Sequence, residues 1–377
     1  MSRSPTPRRR ATLASLAAEL EVSRTTISNA YNRPDQLSAD LRERIFATAK
    51  RLGYPGPDPV ARSLRTRRAG AVGLVVAQPL TYSFSDPAAL NFVAGLAESC
   101  EEVGQGLLLV AAGPRRSVAE ASSAVLSAAV DGFVVYAAAE EDPYLQLVLQ
   151  RHLPVVVVDQ PTDVPGASRV GIDDRRAMRA LADFVVSLGH REIGLLAMKL
   201  GDGHGDDGEW SVRVADAARV RDTPFSVQGE RIGGVCDALA AAGLPADALT
   251  VVECSEHGPE SGGAAAELAL STTPRITALM CTTDVLAISA MDFLRARGIY
   301  VPGRMTVTGF DGIPEAIKRG LTTVAQPSME KGRIAGRMLH SMVRGDENAV
   351  NAPRSGLPIV EILPTELIRG RTAGPPG

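Results

Sequence analysis

From Ala71 onward, short apolar segments alternate with longer segments whose apolar residues recur every three or four positions. The segment 71–76 is apolar throughout, which is typical of a parallel strand covered on both faces. The segment 87–104 has one apolar helical face, formed by Leu90, Val93, Ala94 and Ala97. Because parallel strands need crossover helices, this alternation predicts doubly wound α/β structure.

The alternation falls into two series. The first has predicted strands at 71–76, 107–110, 132–136 and 155–158, with helices at 87–104, 118–130 and 143–151. The second has predicted strands at 170–172, 193–198, 250–254, 278–281 and 306–309, with helices at 175–188, 230–242, 260–270 and 285–297. Two similar α/β lobes with a cleft between them are therefore expected.

The first seventy residues differ in charge from the rest. They contain 14 Lys and Arg against 6 Asp and Glu, whereas the whole chain has a net charge of −3. A basic head on an acidic body is typical of a DNA-binding module joined to another domain. Residues 1–10 are mostly Pro, Arg and Ser, and we expect a disordered basic arm there.

Residues 11–56 are predicted to form a DNA-binding head of three short helices. The candidate N-caps are Thr12, Ser23 and Ser38. In the second helix, 24–32, Ile27 and Tyr31 form a thin apolar stripe, and the other face carries Arg, Thr, Ser and Asn. Short hydrogen-bonding side chains suit a helix that lies in the major groove. About three residues join the first two helices, and this short connection predicts a helix-turn-helix.

Residues 57–69 follow the head as a hinge. Asp58 could cap a short helix that has Pro59 at its first position. Leu64 is apolar but lies among arginines, including Arg62. One interpretation is a disordered linker. The other is a hinge helix that forms on DNA and inserts Leu64 between base pairs from the minor groove.

Several motifs of the head and hinge coincide with those of a known family. They are Val22-Ser23, Thr26-Ile27-Ser28, Asn32, Ser38, Leu52-Gly53-Tyr54 and Val60-Ala61-Arg62-Ser63-Leu64. With this spacing, the segment resembles the lactose-repressor (LacI/GalR) family of transcriptional regulators. The resemblance implies a homodimer with paired hinge helices, base contacts by Arg24, Thr25 and Asn29, and phosphate contacts by Ser23, Thr26, Ser28 and Asn32. The family often has Arg at the position of Asn29, and Asn prefers adenine where Arg prefers guanine.

The resemblance continues through residues 70–377. Its motifs there are Gly189-His190-Arg191, Thr283-Asp284-x-x-Ala287, Gly309-Phe310-Asp311-Gly312-Ile313-Pro314 and Leu321-Thr322-Thr323-Val324-x-Gln326. It implies a periplasmic-binding-protein-like body that binds a small effector, commonly a sugar or nucleobase, between its lobes. The expected lobes are 70–167 with 326–345, and 168–323 with 357–371.

Ligands of open α/β sheets bind outside the carboxyl ends of the strands, so polar residues there are candidate effector contacts. The candidates are Asp159, Arg231, His257, Thr283 and Asp311. Carboxylates can accept from vicinal hydroxyls, and an arginine can hold an oxygen-rich group. Each residue could instead cap a helix or join the lobes by a salt bridge.

Two parts of the body depart from the expected pattern: the aromatic contact to the effector and the length of one connection. His257 lies where the family usually has an aromatic ring, and Tyr82 and Phe84 could replace that ring. Leu200–Gln228 is longer than expected between a strand and a helix. Its stretch Gly201–Glu209 has metal-friendly residues but lacks calcium-loop spacing, and we predict a flexible solvated loop there. Trp210 and Arg213 of this connection could fold over the cleft.

Other functional classes receive little support. The sequence has no GxSxG, HExxH or Walker motif, so we expect no enzyme activity, cofactor or metal. It has no apolar run of about 18 residues and no signal-peptide pattern, and its four cysteines lack a CxxC motif, so we expect a cytoplasmic protein without membrane contact. We therefore predict a homodimeric regulator, a repressor that binds operator DNA under control of a small effector. The alternatives are a solute-binding protein without a regulatory role and an α/β enzyme with a DNA-binding head.

Overall fold

The computed structural model describes residues 11–58, 63, 66–76, 84–111, 118–201, 211–255, 258, 260–345 and 358–377. The chain divides into two compact units, Met1–Ala69 and Gly70–Gly377, which we call the head and the body. Several sequence predictions lie outside the described residues. These are the basic arm 1–10 and the roles of Arg62, Leu64, Tyr82, Trp210 and His257.

Over residues 11–58 the head contains three α-helices. They are α1 (Leu13–Glu19), α2 (Arg24–Asn32) and α3 (Ala39–Leu52). The predicted N-caps are confirmed: the side chains of Thr12, Ser23 and Ser38 each accept a hydrogen bond from the first turn of their helix. Gly53 ends α3 with a left-handed φ of 68°, a conformation that favours glycine. The bounds of α2 and α3 depend on local cap chemistry, which explains why the sequence predicted both correctly.

A small apolar core holds these helices together. Leu16, Ile27 and Ile45 come from the three different helices and are fully buried. Ala17 and Ala30 complete the contact between α1 and α2, where small side chains allow close packing. Burial of each large side chain contributes about 1.5–3 kcal/mol, and this fixes α2 with its polar face outward.

The first lobe of the body is built on a six-stranded, fully parallel sheet. Its strands are β1 (Ala71–Val76), β2 (Gly106–Ala111), β3 (Gly132–Tyr136), β4 (Val155–Val158), β5 (Ser168–Ile172) and β12 (Val360–Leu363), in the spatial order β12-β5-β4-β3-β1-β2. The helices that accompany it are α4 (Pro87–Glu102), α5 (Val118–Ser127), α6 (Pro143–Gln150) and α13 (Ser328–Arg344).

The second lobe has a seven-stranded sheet that is parallel except at its two edges. Its strands are β6 (Ile193–Met198), β7 (Val212–Val214), β8 (Leu249–Cys254), β9 (Ala278–Cys281), β10 (Thr306–Asp311), β11 (Thr322–Ala325) and β13 (Glu366–Ile368), in the order β13-β11-β10-β9-β6-β8-β7. Its helices are α7 (Asp174–Ser187), α8 (Ala217–Arg221), α9 (Ser226–Ala241), α10 (Ser261–Thr272), α11 (Asp284–Ala296) and α12 (Pro314–Arg319). The edge strands β7 and β13 are antiparallel to their neighbours.

The predicted division of the body into lobes is wrong at two strands. Residues 168–172 were expected in the second lobe, but Ser168 lies opposite Val156 and β5 pairs with β4 in the first sheet. Strand β12 then pairs with β5, so it also belongs to the first lobe. An apolar run indicates a strand without indicating its neighbour, because pairing is decided by distant residues. The chain therefore passes from the first lobe to the second only after Ile172.

The connection Leu200–Gln228 contains regular structure that the sequence did not predict, whereas the stretch predicted as a flexible loop, 201–209, lies outside the described residues except for Gly201. Residues 211–228 contain β7 and α8, and helix α9 begins at Ser226 instead of at 230. Strand β7 extends the second sheet beyond β8. This short strand and the five-residue helix α8 were too brief to show a periodic pattern in the sequence.

Candidate functional site

Helix α2 turns a polar face to solvent. Ile27 and Ala30 are buried against the head core, whereas Ser23, Arg24 and Thr25 are exposed. The other predicted DNA contacts are half-buried or exposed: Thr26, Ser28, Asn29 and Asn32. The helix thus presents all seven predicted residues on or beside one accessible surface, as a helix that enters a DNA groove requires.

Several of these side chains have local partners. The Ser23 hydroxyl accepts from the Thr26 amide at 3.0 Å and so acts as the N-cap of α2. Asn29 donates through Nδ2 to Gln36 Oε1 at 3.3 Å, and Asn32 donates to the Ser28 carbonyl at 2.8 Å. These bonds lie at the surface, where hydrogen bonds to DNA can replace them at small net cost.

A cleft lies between the two lobes, at the carboxyl ends of their strands. It holds about 750 Å³ of empty space, part of which is open solvent at its mouth. Strands β1 and β3 and the two residues directly after β4 contribute to the lining from the first lobe, and β6 and β10 contribute from the second. The polar lining residues are Asp86, Asp159, Gln160, Lys199, Gln228, Arg231, Thr283, Asp311 and Gln326. Four of the seven predicted effector contacts therefore line one cleft: Asp159, Arg231, Thr283 and Asp311.

Asp159 is held by a buried lysine that the sequence analysis missed. Lys331 on α13 is 1% exposed, and its Nζ donates to both carboxylate oxygens of Asp159 at 2.6 and 2.8 Å. The same Nζ donates to Gln326 Oε1 at 2.7 Å, so its three donors are all used. The available signal was a lysine on the apolar stripe of α13, in register with Ile334, Ala335 and Met338.

Arg231 lies in a buried position on α9 and donates hydrogen bonds to two partners. Its Nε donates to Asp174 Oδ1 at 2.7 Å, and its guanidinium lies 3.7 Å from the centre of the Phe310 ring. It also donates to the Thr282 carbonyl at 2.6 Å and lies 3.9 Å from Asp311. Burial opposes the charge, but the nearby carboxylates of Asp174 and Asp311 outweigh it and raise the pKa of Arg231. The arginine therefore stays cationic at the floor of the cleft.

Asp311, which lines the cleft, and Asp284, which does not, form a pair of buried carboxyl groups. Burial raises the pKa of Asp284 to about 7, although it accepts hydrogen bonds from the Thr323 hydroxyl and the Ile313 amide. Burial also raises the pKa of Asp311 well above its usual range; Arg231 opposes that shift and Asp284 adds to it. Asp311 is in turn held by Gln326, whose Nε2 donates to Oδ1 at 2.6 Å.

Thr283 caps a helix and also lines the cleft. Its hydroxyl accepts a hydrogen bond from the Leu286 amide at 3.3 Å and so caps the N-terminus of α11. Thr283 is also one of the residues that line the cleft. Helix α11 thus directs its N-terminus toward this space, where its dipole favours oxygen-rich groups.

Phe84, one of the two predicted aromatic contacts, lies apart from the described cleft lining. That ring is 53% exposed and is not among the residues that line the described part of the cleft. Tyr136, at the end of β3, lines the cleft instead and stacks on Phe92 with ring centres 4.4 Å apart. Phe225, from the start of α9, is the second aromatic lining residue. The strand-end position of Tyr136 was the signal that the sequence offered.

The described residues contain no helix that is long and apolar enough to cross a membrane. They also contain no group of three or more His, Cys, Asp or Glu residues placed to hold a metal ion.

A helix-turn-helix head followed by a two-lobed body with a ligand cleft defines the class of ligand-responsive transcriptional regulators. Comparison with known proteins agrees with this class. Residues 182–372 match the family model described as a periplasmic binding protein-like domain. An HTH-type transcriptional regulator of Mycolicibacterium smegmatis is 69% identical over 378 residues, which cover 100% of both chains. The regulator IpsA of Corynebacterium glutamicum is 42% identical, over 88% of this chain and 91% of its own.

Solved structures give the same result. A LacI-family regulator from Corynebacterium glutamicum superposes with a TM-score of 0.71 and 34% identity, over 97% of this chain and 99% of its own. A complex of the regulator CelR with cellobiose has a TM-score of 0.66 and 27% identity, over 96% and 100% of the two chains. The lac repressor dimer bound to operator and the anti-inducer ONPF has a TM-score of 0.76 at 20% identity, over 97% and 100%, and shows the shared fold. The chain belongs to the LacI family of transcriptional regulators.

Proposed function

We propose that the chain is a homodimeric repressor whose operator affinity is set by a neutral, sugar-like effector bound between the lobes of the body. The observation that carries this proposal is the polar, exposed face of α2 on a head joined to a body with a charged ligand cleft. The similar lac repressor structure is a dimer on operator DNA, which supports the homodimer. This function places the protein in the cytoplasm, with the DNA.

The DNA contacts divide into two groups. Arg24, Thr25 and Asn29 would contact base edges, because they extend from the outward face of α2. The hydroxyl and amide groups of Ser23, Thr26, Ser28 and Asn32 would bind phosphates and fix the position of the helix. Phosphate contacts supply most of the affinity and base contacts supply the specificity. Arg62 and Leu64 would add a hinge contact in the minor groove, with Leu64 holding a kink.

The charges of the cleft indicate what kind of effector fits. Among the described residues, Asp86, Asp159 and Asp311 line it together with the cations Lys199 and Arg231, and Asp159 is already paired with Lys331. The oxygens of these carboxyl groups accept hydrogen bonds, which the hydroxyl groups of a ligand can donate and a phosphate dianion cannot. The proposed effector is therefore uncharged and rich in hydroxyls, and the cellobiose complex of the similar regulator CelR supports this class.

We infer that effector binding acts on the head through the arrangement of the lobes. Asp311 belongs to the second lobe, Asp159 and Lys331 to the first, and Gln326 contacts both Asp311 and Lys331. A ligand that contacts Asp311 and Asp159 together favours one distance between the lobes. That preference shifts the population of lobe arrangements, and with it the spacing of the two hinges in a dimer.

The test is a thermal-shift titration of the full chain with D-glucose, D-ribose, cellobiose, glucose 6-phosphate and adenine. A ligand whose free concentration is about 100 times its Kd stabilises the folded protein by about 2.7 kcal/mol. We expect a neutral sugar to stabilise the parent and the phosphate ester to have no effect. In Asp311→Asn we expect the sugar to stabilise the protein less, while the affinity of the ligand-free variant for operator DNA equals that of the parent. If only adenine stabilises the protein, the effector is a nucleobase and the sugar-like class is wrong. Stabilisation by glucose 6-phosphate would contradict the argument that the cleft does not bind a phosphorylated ligand.

A further inference from the structure

A buried carboxylate in the second lobe binds both described ends of the long connection between β6 and α9. Glu253 on β8 is 0% exposed. Its Oε1 accepts from Arg213 Nε at 2.5 Å and from Arg219 Nε at 2.8 Å, and its Oε2 accepts from the Leu200 amide at 2.8 Å. Because an ionised carboxylate is costly to bury without partners, this group requires the residues that surround it.

The two arginines belong to different parts of the connection. Arg213 on β7 lies directly opposite Glu253 in the ladder between β7 and β8. Arg219 on α8 also donates from Nη2 to the Gly201 carbonyl at 3.1 Å. Glu253 therefore fastens the beginning of the connection, the strand β7 and the helix α8 to the second lobe. We call the described residues 211–228 the clamp.

The far end of the clamp contacts the first lobe. The carbonyl of Pro224 accepts from the Glu140 amide at 3.1 Å. The Val227 amide donates to Gln160 Oε1 at 2.8 Å, and Gln160 is 4% exposed. Phe225, Val227 and Gln228 of the same turn line the effector cleft. One end of the clamp is thus fastened to the second lobe by Glu253, and the other end closes against the first lobe beside the ligand space.

We propose that Glu253 is a positioning residue of the effector cleft. It holds the clamp on the second lobe so that Pro224 and Val227 meet the first lobe when the lobes close around the effector. When the lobes separate, the bonds to Glu140 and Gln160 break while the bonds to Glu253 remain, so the clamp moves with the second lobe. The effector part of this inference rests on the proposed function, but the placement of the clamp does not.

The experiment compares the full-length parent with Glu253→Gln, which keeps the shape of the side chain but removes its charge. The matched control is Glu267→Gln on α10, an exposed partner of Arg297 in the same lobe. Amide hydrogen exchange is measured without any sugar. In Glu253→Gln we expect exchange about tenfold or more faster in residues 211–228 and at the Glu140 amide, with β6 and β9 unchanged. The Glu140 amide belongs to the other lobe and donates to Pro224 of the clamp. Lobe separation also frees this amide, but it does so equally in Glu267→Gln, so exchange that is faster in Glu253→Gln than in that control reports displacement of the clamp.

Two results would overturn the proposal. Unchanged exchange at Glu140 and in the clamp would show that Glu253 does not position them. Uniformly faster exchange across the second sheet would show that Glu253 only stabilises the lobe. If Glu253→Gln does not fold, Arg219→Lys, which keeps the charge but loses the forked contact to Glu253 and Gly201, must show the same pattern in milder form.

The effector part is tested separately with D-glucose, D-ribose and cellobiose. Fluorescence of Trp210, the single tryptophan of the sequence, follows the titration because it directly precedes the clamp. We expect Glu253→Gln to weaken the binding of the responding sugar about 10- to 100-fold while its ligand-free operator affinity equals that of the parent. Equal sugar binding in both proteins would contradict the effector role, and a failure to bind any operator would contradict the proposed function but not the placement of the clamp.

Discussion

Substitution of Lys331 by methionine tests the charge pair that supports the first-lobe side of the cleft. Methionine has nearly the length of lysine, so the change removes the ammonium group without leaving a large cavity. It leaves the Asp159 carboxylate, whose side chain is 12% exposed, without the cation that both of its oxygens contact. It also leaves Gln326 Oε1 without its donor.

Removing one partner of a buried ion pair costs about 3–5 kcal/mol, because the other charge stays buried without compensation. The body comprises Gly70–Gly377. At about 2.1 cal/mol/K per residue, its unfolding entropy is about 0.6 kcal/mol/K, so Tm of the body should fall by roughly 5–8 °C. Differential scanning calorimetry at pH 7 measures the change directly.

The control is the double variant Lys331→Met with Asp159→Asn. Its neutral pair carries no buried charge, so the double variant should recover most of the loss and lie within about 1–2 kcal/mol of the parent. A loss below about 1 kcal/mol in the single variant would refute the argument from burial. So would a double variant as unstable as the single one, because the two residues would then not be coupled.

Three further predictions concern the head, the hinge and the buried carboxyl pair of Asp284 and Asp311. Asn29→Ala should lose about 1–3 kcal/mol on the best operator and relax one position per half-site, whereas an equal loss on random DNA in gel-shift assays would place Asn29 on the backbone. Leu64→Ala should bend the operator less while its non-specific affinity stays the same, and parent-like bending in a circular-permutation assay would rule out the wedge. The pKa of Asp284 is raised from 3.8 to about 7, so the folded state binds more protons and the free energy of unfolding falls as pH rises between these values. Asp284→Asn should flatten this fall in urea titrations at pH 5 and 8, and an unchanged slope would contradict the assignment.

Local chemistry made the head predictable. The caps at Thr12, Ser23 and Ser38 act on residues three positions away, and the apolar stripe of each helix repeats within two turns. The same holds for β3, β4, β6 and β9, whose apolar runs matched the strands residue for residue. By contrast, the membership of β5 in the first sheet depends on pairing with β4 and β12, which no local pattern encodes.

The charged centres of the body were harder to predict because their partners are remote in sequence. Lys331 and Asp159 are separated by 172 positions. The contacts of Glu253 with Arg213 and Arg219 require the second sheet to be in place. Strand ends identified Asp159 and Asp311 as residues of the cleft, but not what each carboxylate binds. A glutamate within the apolar run of β8 and a lysine on the apolar face of α13 were the two visible signals.

Selection of duplexes from a random pool by the full-length protein tests the central claim most directly. The account predicts enrichment of a two-fold symmetric site, because two copies of α2 contact two half-sites. Affinity for that site should fall by about 10³- to 10⁵-fold between roughly 50 and 200 mM salt if the dimer contacts six to ten phosphates. Failure to enrich any sequence, together with binding that does not depend on salt, would contradict the assignment of the head as a specific DNA-binding module.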